Sequence, residues 1–298
     1  MEPSIASRIT SALGNRPVRW TSASESGCTA NQRWVVCLSS GQTAFVKAAV
    51  DERTAGWLRR EYFMYSHLTG SLMPQLLGWC DNGEWPLLII EDLSQAHWPP
   101  PWTPASIHVV RQALNELAAI PVSGVLRETL PLMEVALATW PGWNNVAAEP
   151  GPFLSLGLCS PCWLDKHLST LIAAADATVL EGDSIVHMDV RSDNLCLLDG
   201  KALLVDWNWA RIGNPIMDVA GWLPSLHAEG GPTPETILPS GATSYAAKLS
   251  GYWASQTGLP PIPEAPRVRP LQLMQLKVAL PWAIRSLELP MPTELNNY

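Results

Sequence analysis

Through the N-terminal third of the chain, apolar residues come in short runs bounded by turn residues, whereas further on they recur three and four positions apart. The runs WVVCL (34–38) and TAFVKA (43–48), separated by SSGQ, predict a β-hairpin preceded by a small polar loop, SASESGCTANQ. Leu58, Tyr62, Tyr65 and Leu68 fall at helical spacing and predict a helix over 53–68, closed by Gly70 and Pro74. PLLIIE (86–91) reads as a further strand. From Pro104 the pattern predicts helices over 105–120, 128–138 and 164–180. Short strands follow at 184–187 and 195–198, with a third at 202–206 after the Asp199-Gly200 turn, a strong hairpin signal. The last helices are expected over 217–226, 243–256 and 271–289, with Pro281 kinking the final one. The sum is an α+β chain of two lobes: a small antiparallel sheet carrying one helix over 1–93, and a mainly helical lobe over 94–298. The stiff connector SQAHWPPPW joins them. There is no internal repeat and no low-complexity tract.

Composition narrows the functional classes. At 298 residues and 47% hydrophobic, the chain is long enough for two domains with an ordinary core. The formal charge is −8, and the densest basic cluster is the pair Arg59-Arg60, which argues against a nucleic-acid partner. An acidic balance serves solubility and also suits a cationic ligand. MEPSIASRITSALGNRP lacks the pattern of a signal peptide, and no apolar run reaches membrane-spanning length, so a soluble, cytoplasmic protein with no membrane partner is expected. Of the six cysteines, Cys159 and Cys162 in LCSPCW form the one close pair; without a second pair at zinc spacing they are expected to be two free thiols near a helix start.

The polar residues are concentrated in HMDVRSDN (187–194), between two apolar runs, and VDWNW follows shortly after. Asp189 lies in the turn after a strand, Asn194 five residues on, and Asp206 at the end of the next hairpin. Short hairpins can bring all three to one sheet edge, where two carboxylates and an amide oxygen suit Mg²⁺ bound with substrate phosphates. The same residues could instead form an Asx-turn network that only shapes the loop. Lys47 lies inside an apolar strand, where an ammonium is costly unless it is paired or faces a cleft. Glu61, in the following helix, is the expected partner, with Glu52 nearer the helix start as the alternative. Alone, Lys47 also reads as an edge residue snorkelling to water.

Taken together, HMDVRSDN and VDWNWARIGNPIMDVA resemble the catalytic loop and metal segment of the aminoglycoside phosphotransferase and choline-kinase-like family of small-molecule kinases. Strand lysine, helix glutamate, hinge, catalytic loop and metal aspartate occur in the family's order from Lys47 to Asp218, somewhat over half of the chain. The resemblance implies a bilobal protein-kinase-like fold, ATP or GTP as phosphoryl donor, Mg²⁺ as cofactor, and a small hydroxyl-bearing acceptor. It implies that Asp189 orients the acceptor hydroxyl and takes its proton, that Asn194 and Asp206 hold Mg²⁺, and that Lys47, fixed by Glu61, steadies the phosphates. The backbone of Glu91 and Leu93 would meet the adenine edge, while His187 and Asp218 would support the loop. Met188 stands where the family commonly has glycine. Arg191 stands where aminoglycoside enzymes often have histidine, and it is open whether it contacts the transferred phosphoryl group or pairs with Asp193 or Asp199. The loop SASESGCTANQ has one glycine, a weak phosphate-cradling signal.

A protein kinase is disfavoured by the short interval between Asp206 and Asp218 and by the lack of Asp-Phe-Gly and Ala-Pro-Glu. The intact set of five residues argues against an inactive nucleotide-binding module. An aminoglycoside or other antibiotic is the acceptor expected first; a sugar, amino alcohol or homoserine-like metabolite is the alternative. The acceptor pocket is expected near HAEGGP and Glu229, where Trp207, Trp209 and Trp222 either stack on a sugar ring or pack in the core. A carboxylate-rich lining would favour a polyamine-like antibiotic, and a neutral or aromatic one a sugar or a macrolide.

Overall fold

The fold is described from a computed structural model covering residues 1–23, 31–68, 70–83, 85–239 and 241–295. Most of the loop SASESGCTANQ, residues 24–30, lies outside this part, as does Cys28. In chain order the N-terminal elements are α1 (Pro3–Leu13), β1 (Pro17–Ser22), β2 (Gln32–Leu38), β3 (Thr43–Ala48), α2 (Glu52–His67), β4 (Leu76–Cys80) and β5 (Leu87–Glu91). The helical part holds α3 (Pro104–Ala118), α4 (Gly124–Thr129), α5 (Met133–Leu137), α6 (Trp143–Ala148), α7 (Gly151–Leu154) and α8 (Pro161–Asp176). Then come β6 (Ser184–Val186), β7 (Leu195–Leu198), β8 (Lys201–Leu204), a 3₁₀ turn (Trp207–Trp209) and β9 (Arg211–Gly213). The last helices are α9 (Ile216–Ala228), α10 (Pro234–Ile237), α11 (Thr243–Thr257) and α12 (Val268–Ser286).

Five antiparallel strands form the N-terminal sheet in the order β1-β2-β3-β5-β4, as the α+β reading requires. Period-two alternation assigns their side chains to two faces. Trp34, Val36, Leu38, Ala44, Val46, Ala48, Leu87 and Ile89 point outward, where Ile5 and Ile9 of α1 close a small core over them. Leu88 and Ile90 point inward and join the main core with Leu58 and Met64 of α2 and the helices beyond. Because Lys47 is out of phase with Val46 and Ala48, the same alternation turns it inward with Phe45. β6 pairs with β9 and β7 with β8, two short ribbons that hold the polar loop of residues 187–194 against the helices.

Three sequence expectations change. The helix over 128–138 is two, α4 and α5, because Leu130 before Pro131 is extended, as a residue preceding proline prefers. The expected strand over 202–206 stops at Leu204, since Asp206 adopts φ 68°, a left-handed conformation no strand accommodates. The helix expected to reach 180 ends at Asp176. Pro281 lies buried inside α12 without ending it. The helix α1 and the strands β1 and β4 had no counterpart in the reading: α1 buries only Ile5 and Ile9, β1 is an exposed edge, and β4 is interrupted by Gly78. Among the described residues no helix is long and apolar enough to cross a membrane.

Packing between α6 and α11 depends on Gly251. A Cβ there would lie 2.6 Å from Cδ1 of Trp143, whose indole N–H donates to the Ala247 carbonyl at 2.9 Å. Gly251→Ala gains about 1 kcal/mol of helix propensity, but overpacking a buried ring costs roughly 1–3 kcal/mol. Clash outweighs propensity, so thermal unfolding of this variant is expected at a lower temperature than the parent; an increase would contradict the packing described.

Candidate active site

Strand phase and helix geometry bring together charges that are far apart in sequence. The Lys47 ammonium lies 2.8 and 3.0 Å from the two carboxylate oxygens of Glu61 and 3.2 Å from Oδ1 of Asp206. Lys47 and Glu61 are both buried, with 5% and 1% of their surface exposed, so neither would be stable there alone. Burial works against the Lys47 ammonium, but Asp206 and Glu61 outweigh it and hold its pKa above the ordinary value. Burial likewise pushes Asp206 up, yet Lys47 wins and keeps this carboxyl below its usual range. The Asp51–Thr54 capping box fixes where α2 begins, and thereby which face carries Glu61. Glu52, the alternative partner, stays exposed in the first turn.

The second half of the site begins where β6 ends. Met188 sits at φ 70°, the left-handed region where a side chain costs roughly 1–2 kcal/mol and glycine nothing. This accounts for the glycine expected at that position and shows what replaces its freedom. Both carboxylate oxygens of Asp218 accept 2.7 Å hydrogen bonds, from the N–H groups of His187 and Met188, and pin the strained turn to the start of α9. Burial pushes the Asp218 carboxyl up to about 7 while those two donors pull it down. His187 is fully buried; its Nε2–H donates to the Val205 carbonyl at 2.9 Å and its Nδ1 accepts the Asp189 N–H at 3.2 Å. Its ring meets Trp207 edge-on at 4.6 Å. Both ring nitrogens are thus engaged by backbone groups, and burial lowers the imidazole pKa.

That turn presents Asp189, whose carboxylate is held from two sides. Nε and Nη2 of Arg191 donate to its two oxygens at 2.9 and 3.3 Å, and Nδ2 of Asn194 donates to Oδ2 at 2.8 Å. Arg191 also lies 3.4 Å from Asp193. Of the partners considered from sequence, Asp193 is therefore one, Asp189 is one that was not foreseen, and Asp199 instead forms the β7–β8 turn at φ 50°. Asn194 and Asp206 belong to adjoining turns joined by the Val205 N–H to the Asn194 carbonyl at 2.9 Å.

Of these groups Lys47, Arg191, Asp193, Asn194 and Asp206 line one cleft of about 690 Å³ between sheet and helices, with Asp189 behind Arg191 and Asn194. Val35, Phe45 and Ile90 form its apolar roof, and Glu91 to Ser94 its outer edge. The Leu93 carbonyl is occupied by the Ala96 N–H and the Trp98 indole, at 3.0 and 3.1 Å. On the helical side Glu229, at the end of α9, accepts from the Ser192 hydroxyl at 2.6 Å and from the Trp102 indole at 2.8 Å. Trp98, Arg267, Leu271 and Met274 complete this wall and were not reached by the sequence reading. Trp98 could have been found, since it follows the hinge in the connector; the α12 residues carry no local signal. Of the two roles open to the other tryptophans, core packing holds for Trp207 and Trp222, which are fully buried, while Trp209 leans on Trp57 of α2. Cys159 and Cys162 are free thiols beside the start of α8, and burial pushes Cys159 up to about 11.

Comparison with known proteins shows the family and the fold. The APH family, described as the phosphotransferase enzyme family, matches residues 25–237. A putative fructosamine-3-kinase from Haemophilus somnus 129PT is similar in fold, with TM-score 0.55, 14% identity, and 93% of this chain and 96% of that chain covered. A choline/ethanolamine kinase family protein from Mesorhizobium loti also has TM-score 0.55, with 13% identity over 96% of this chain and 98% of that one. An amicoumacin kinase solved with AMP-PNP, Ca²⁺ and Ami has TM-score 0.51, with 10% identity over 96% and 92% of the two chains. No match was found among curated protein sequences. With well over half of its length matched, the chain belongs to the APH phosphotransferase enzyme family and is a small-molecule phosphotransferase of protein-kinase-like fold.

Proposed function

We propose that the chain transfers the γ-phosphoryl group of ATP or GTP to a hydroxyl of a small molecule, with Mg²⁺ on the nucleotide. The observation that carries this reading is the cluster in which Lys47 joins Glu61 and Asp206, open to a cleft bordered by the Asp189–Asn194 loop. In this reading Lys47, oriented by Glu61, steadies the phosphates, and the backbone of Glu91 and Leu93 receives the adenine edge. The Leu93 N–H has no partner among the described residues, so a donor is available there. Asp206, kept ionised by Lys47, and Asn194, whose amide nitrogen is committed to Asp189 and so leaves Oδ1, are hard oxygen donors that fit Mg²⁺. The ion would neutralise phosphate charge during transfer.

Asp189 accepts the proton of the acceptor hydroxyl. Its two clamps, Arg191 and Asn194, restrict the carboxylate to one orientation, which suits a loose transition state that needs positioning more than covalent help. His187 takes no proton in this scheme, because both its nitrogens are occupied. Asp218 acts through the turn that presents Asp189.

For the acceptor, the lining supports the neutral end of the range over the aminoglycoside expected first. Asp206 and Asp193 face Lys47 and Arg191, and both oxygens of Glu229 already accept from Ser192 and Trp102. Arg33, Arg191 and Arg267 line the same cleft, with Trp98, Leu271 and Met274 adding apolar surface. A polyamine would meet two ion-paired carboxylates and three guanidinium groups beside Glu91, Asp92 and Glu229, whereas a sugar or macrolide hydroxyl carries no charge for the guanidinium groups to repel.

Asp189→Ala is expected to lower turnover by about 10²–10⁴-fold while leaving nucleotide affinity unchanged; parent-like turnover would remove Asp189 from the mechanism. Asp206→Ala is expected to weaken binding of the Mg²⁺-nucleotide complex in a calorimetric titration, and unchanged affinity would count against its metal role. In a screen of ATP and GTP consumption across aminoglycosides, macrolides, sugars and amino alcohols, sustained consumption is expected with an uncharged acceptor. Turnover confined to aminoglycosides would overturn the acceptor assignment.

A further inference from the structure

Helix α2 carries Arg53, Trp57, Glu61 and Tyr65 at intervals of four, which places them along one stripe of its surface. Three of these have direct or electrostatic links to the turn that bears Asp206. Glu61 shares the Lys47 ammonium with it. The buried Tyr65 phenol feels Glu61 and Asp206, after the larger effect of its own burial, and its pKa is raised. Trp57, one helical turn before Glu61, meets Trp209 with ring centroids 6.2 Å apart and planes tilted by 52°, a favourable aromatic arrangement. A guanidinium covers each indole from outside: Arg53 lies 5.3 Å from the Trp57 ring and Arg211 lies 5.8 Å from that of Trp209. Arg211 is itself fixed, donating to the Trp209 and Ala210 carbonyls at 3.0 and 2.8 Å.

The 3₁₀ turn after Asp206 therefore anchors in two directions. Trp207 is fully buried, donates to the Leu204 carbonyl and packs on His187, so it belongs to the helical core. Trp209 reaches the other way, to the helix that carries Glu61. We propose that the Trp57–Trp209 contact is a latch that sets the separation of Glu61 and Asp206, so that Trp57 and Trp209 are positioning residues for the phosphate-binding cluster. Neither indole lines the cleft. With the latch loosened, α2 is free to shift relative to the Asp206 turn, and Lys47 loses its fixed place between two carboxylates. The adenine end, built from Val35, Phe45 and the connector at Leu93, is on other elements and is left as it was.

The latch rests on the reading that Lys47, Glu61 and Asp206 hold the phosphates, and its test separates the two. Binding of Mg²⁺·AMP-PNP and of adenosine is measured by calorimetry for the parent, Lys47→Ala, Trp209→Ala and Trp209→Phe, with thermal unfolding recorded for each. Trp209→Ala is expected to weaken Mg²⁺·AMP-PNP about 3- to 10-fold, the range of one aromatic contact, with adenosine affinity unchanged and Trp209→Phe restoring most of the loss. Trp57→Ala, a second route to the same contact, is expected to match Trp209→Ala. Parent-like AMP-PNP affinity in both alanine variants would overturn the latch, as would equal weakening of AMP-PNP and adenosine, or a phenylalanine variant no better than alanine. Lys47→Ala binding AMP-PNP as tightly as the parent would instead overturn the phosphate-site reading, and the latch with it.

Discussion

A lysine ammonium buried to 95% cannot remain charged without partners, and the site is arranged around meeting that demand. Lys47 draws Glu61 from α2 and Asp206 from the turn after β8, two groups on separate elements, to within 3.2 Å. Glu61, buried like the ammonium, balances its charge, and the more exposed Asp206 adds a second carboxylate that holds it from the other side. This demand ties the sheet, its one inserted helix and the first turn of the helical lobe into a common geometry. The indole contact between Trp57 and Trp209 lies on the same pair of elements, so an apolar contact and an ionic one constrain the same distance.

A different constraint governs the acceptor side. Two residues of the loop after β6 have backbone needs rather than charge needs: Met188 is in a left-handed conformation, and His187 exposes an N–H to the interior. One buried carboxylate, Asp218, answers both, and His187 returns the support by bonding the Val205 carbonyl beside Asp206. The turns of Asp189 and Asp206 are therefore coupled twice, through that imidazole and through the Asn194 carbonyl. A side chain at position 188 is tolerable because Asp218 holds the backbone that a glycine would leave free.

How much of this could be read in the sequence followed the range of the forces involved. Lys47, Asp189, Asn194 and Asp206 stood out as polar residues in an apolar or turn setting, and the ion pair of Lys47 with Glu61 was foreseen. Local chemistry left their roles open, and only the family resemblance assigned them. The elements carrying them were legible from apolar periodicity, to within a residue or two at β2, β3, α2 and α11. What failed was either locally weak or long-range. The helix α1 shows only two buried residues, and the break between α4 and α5 needed Pro131 to be weighed above a helical pattern. The clamp of Arg191 on Asp189 joins residues two apart whose side chains meet through the conformation of the turn, which no periodicity announces. Arg267, Leu271 and Met274 reach the cleft from α12 by tertiary packing alone. The same limit explains why both roles stayed open for the tryptophans, since nothing local separates the buried Trp207 from the partly exposed Trp209 two positions on.

The chain's overall charge illustrates why composition is a poor guide to an acceptor. A net charge of −8 suggests attraction for cations, yet charges on the outer surface are screened beyond about 8 Å at physiological ionic strength. What an acceptor meets is the local balance within the cleft. There Asp206 is paired with Lys47 and Asp193 with Arg191, while Glu91, Asp92 and Glu229 hold neutral donors, and the guanidinium groups of Arg33 and Arg267 are also present. Glu229 is the informative case: it keeps its charge while each of its oxygens accepts one neutral donor, so an acceptor amine there would share the oxygen that holds the Ser192 hydroxyl of the catalytic loop. A cationic acceptor at Glu229 would thus pull on the loop that must position its own hydroxyl, and an uncharged one would pull on it less.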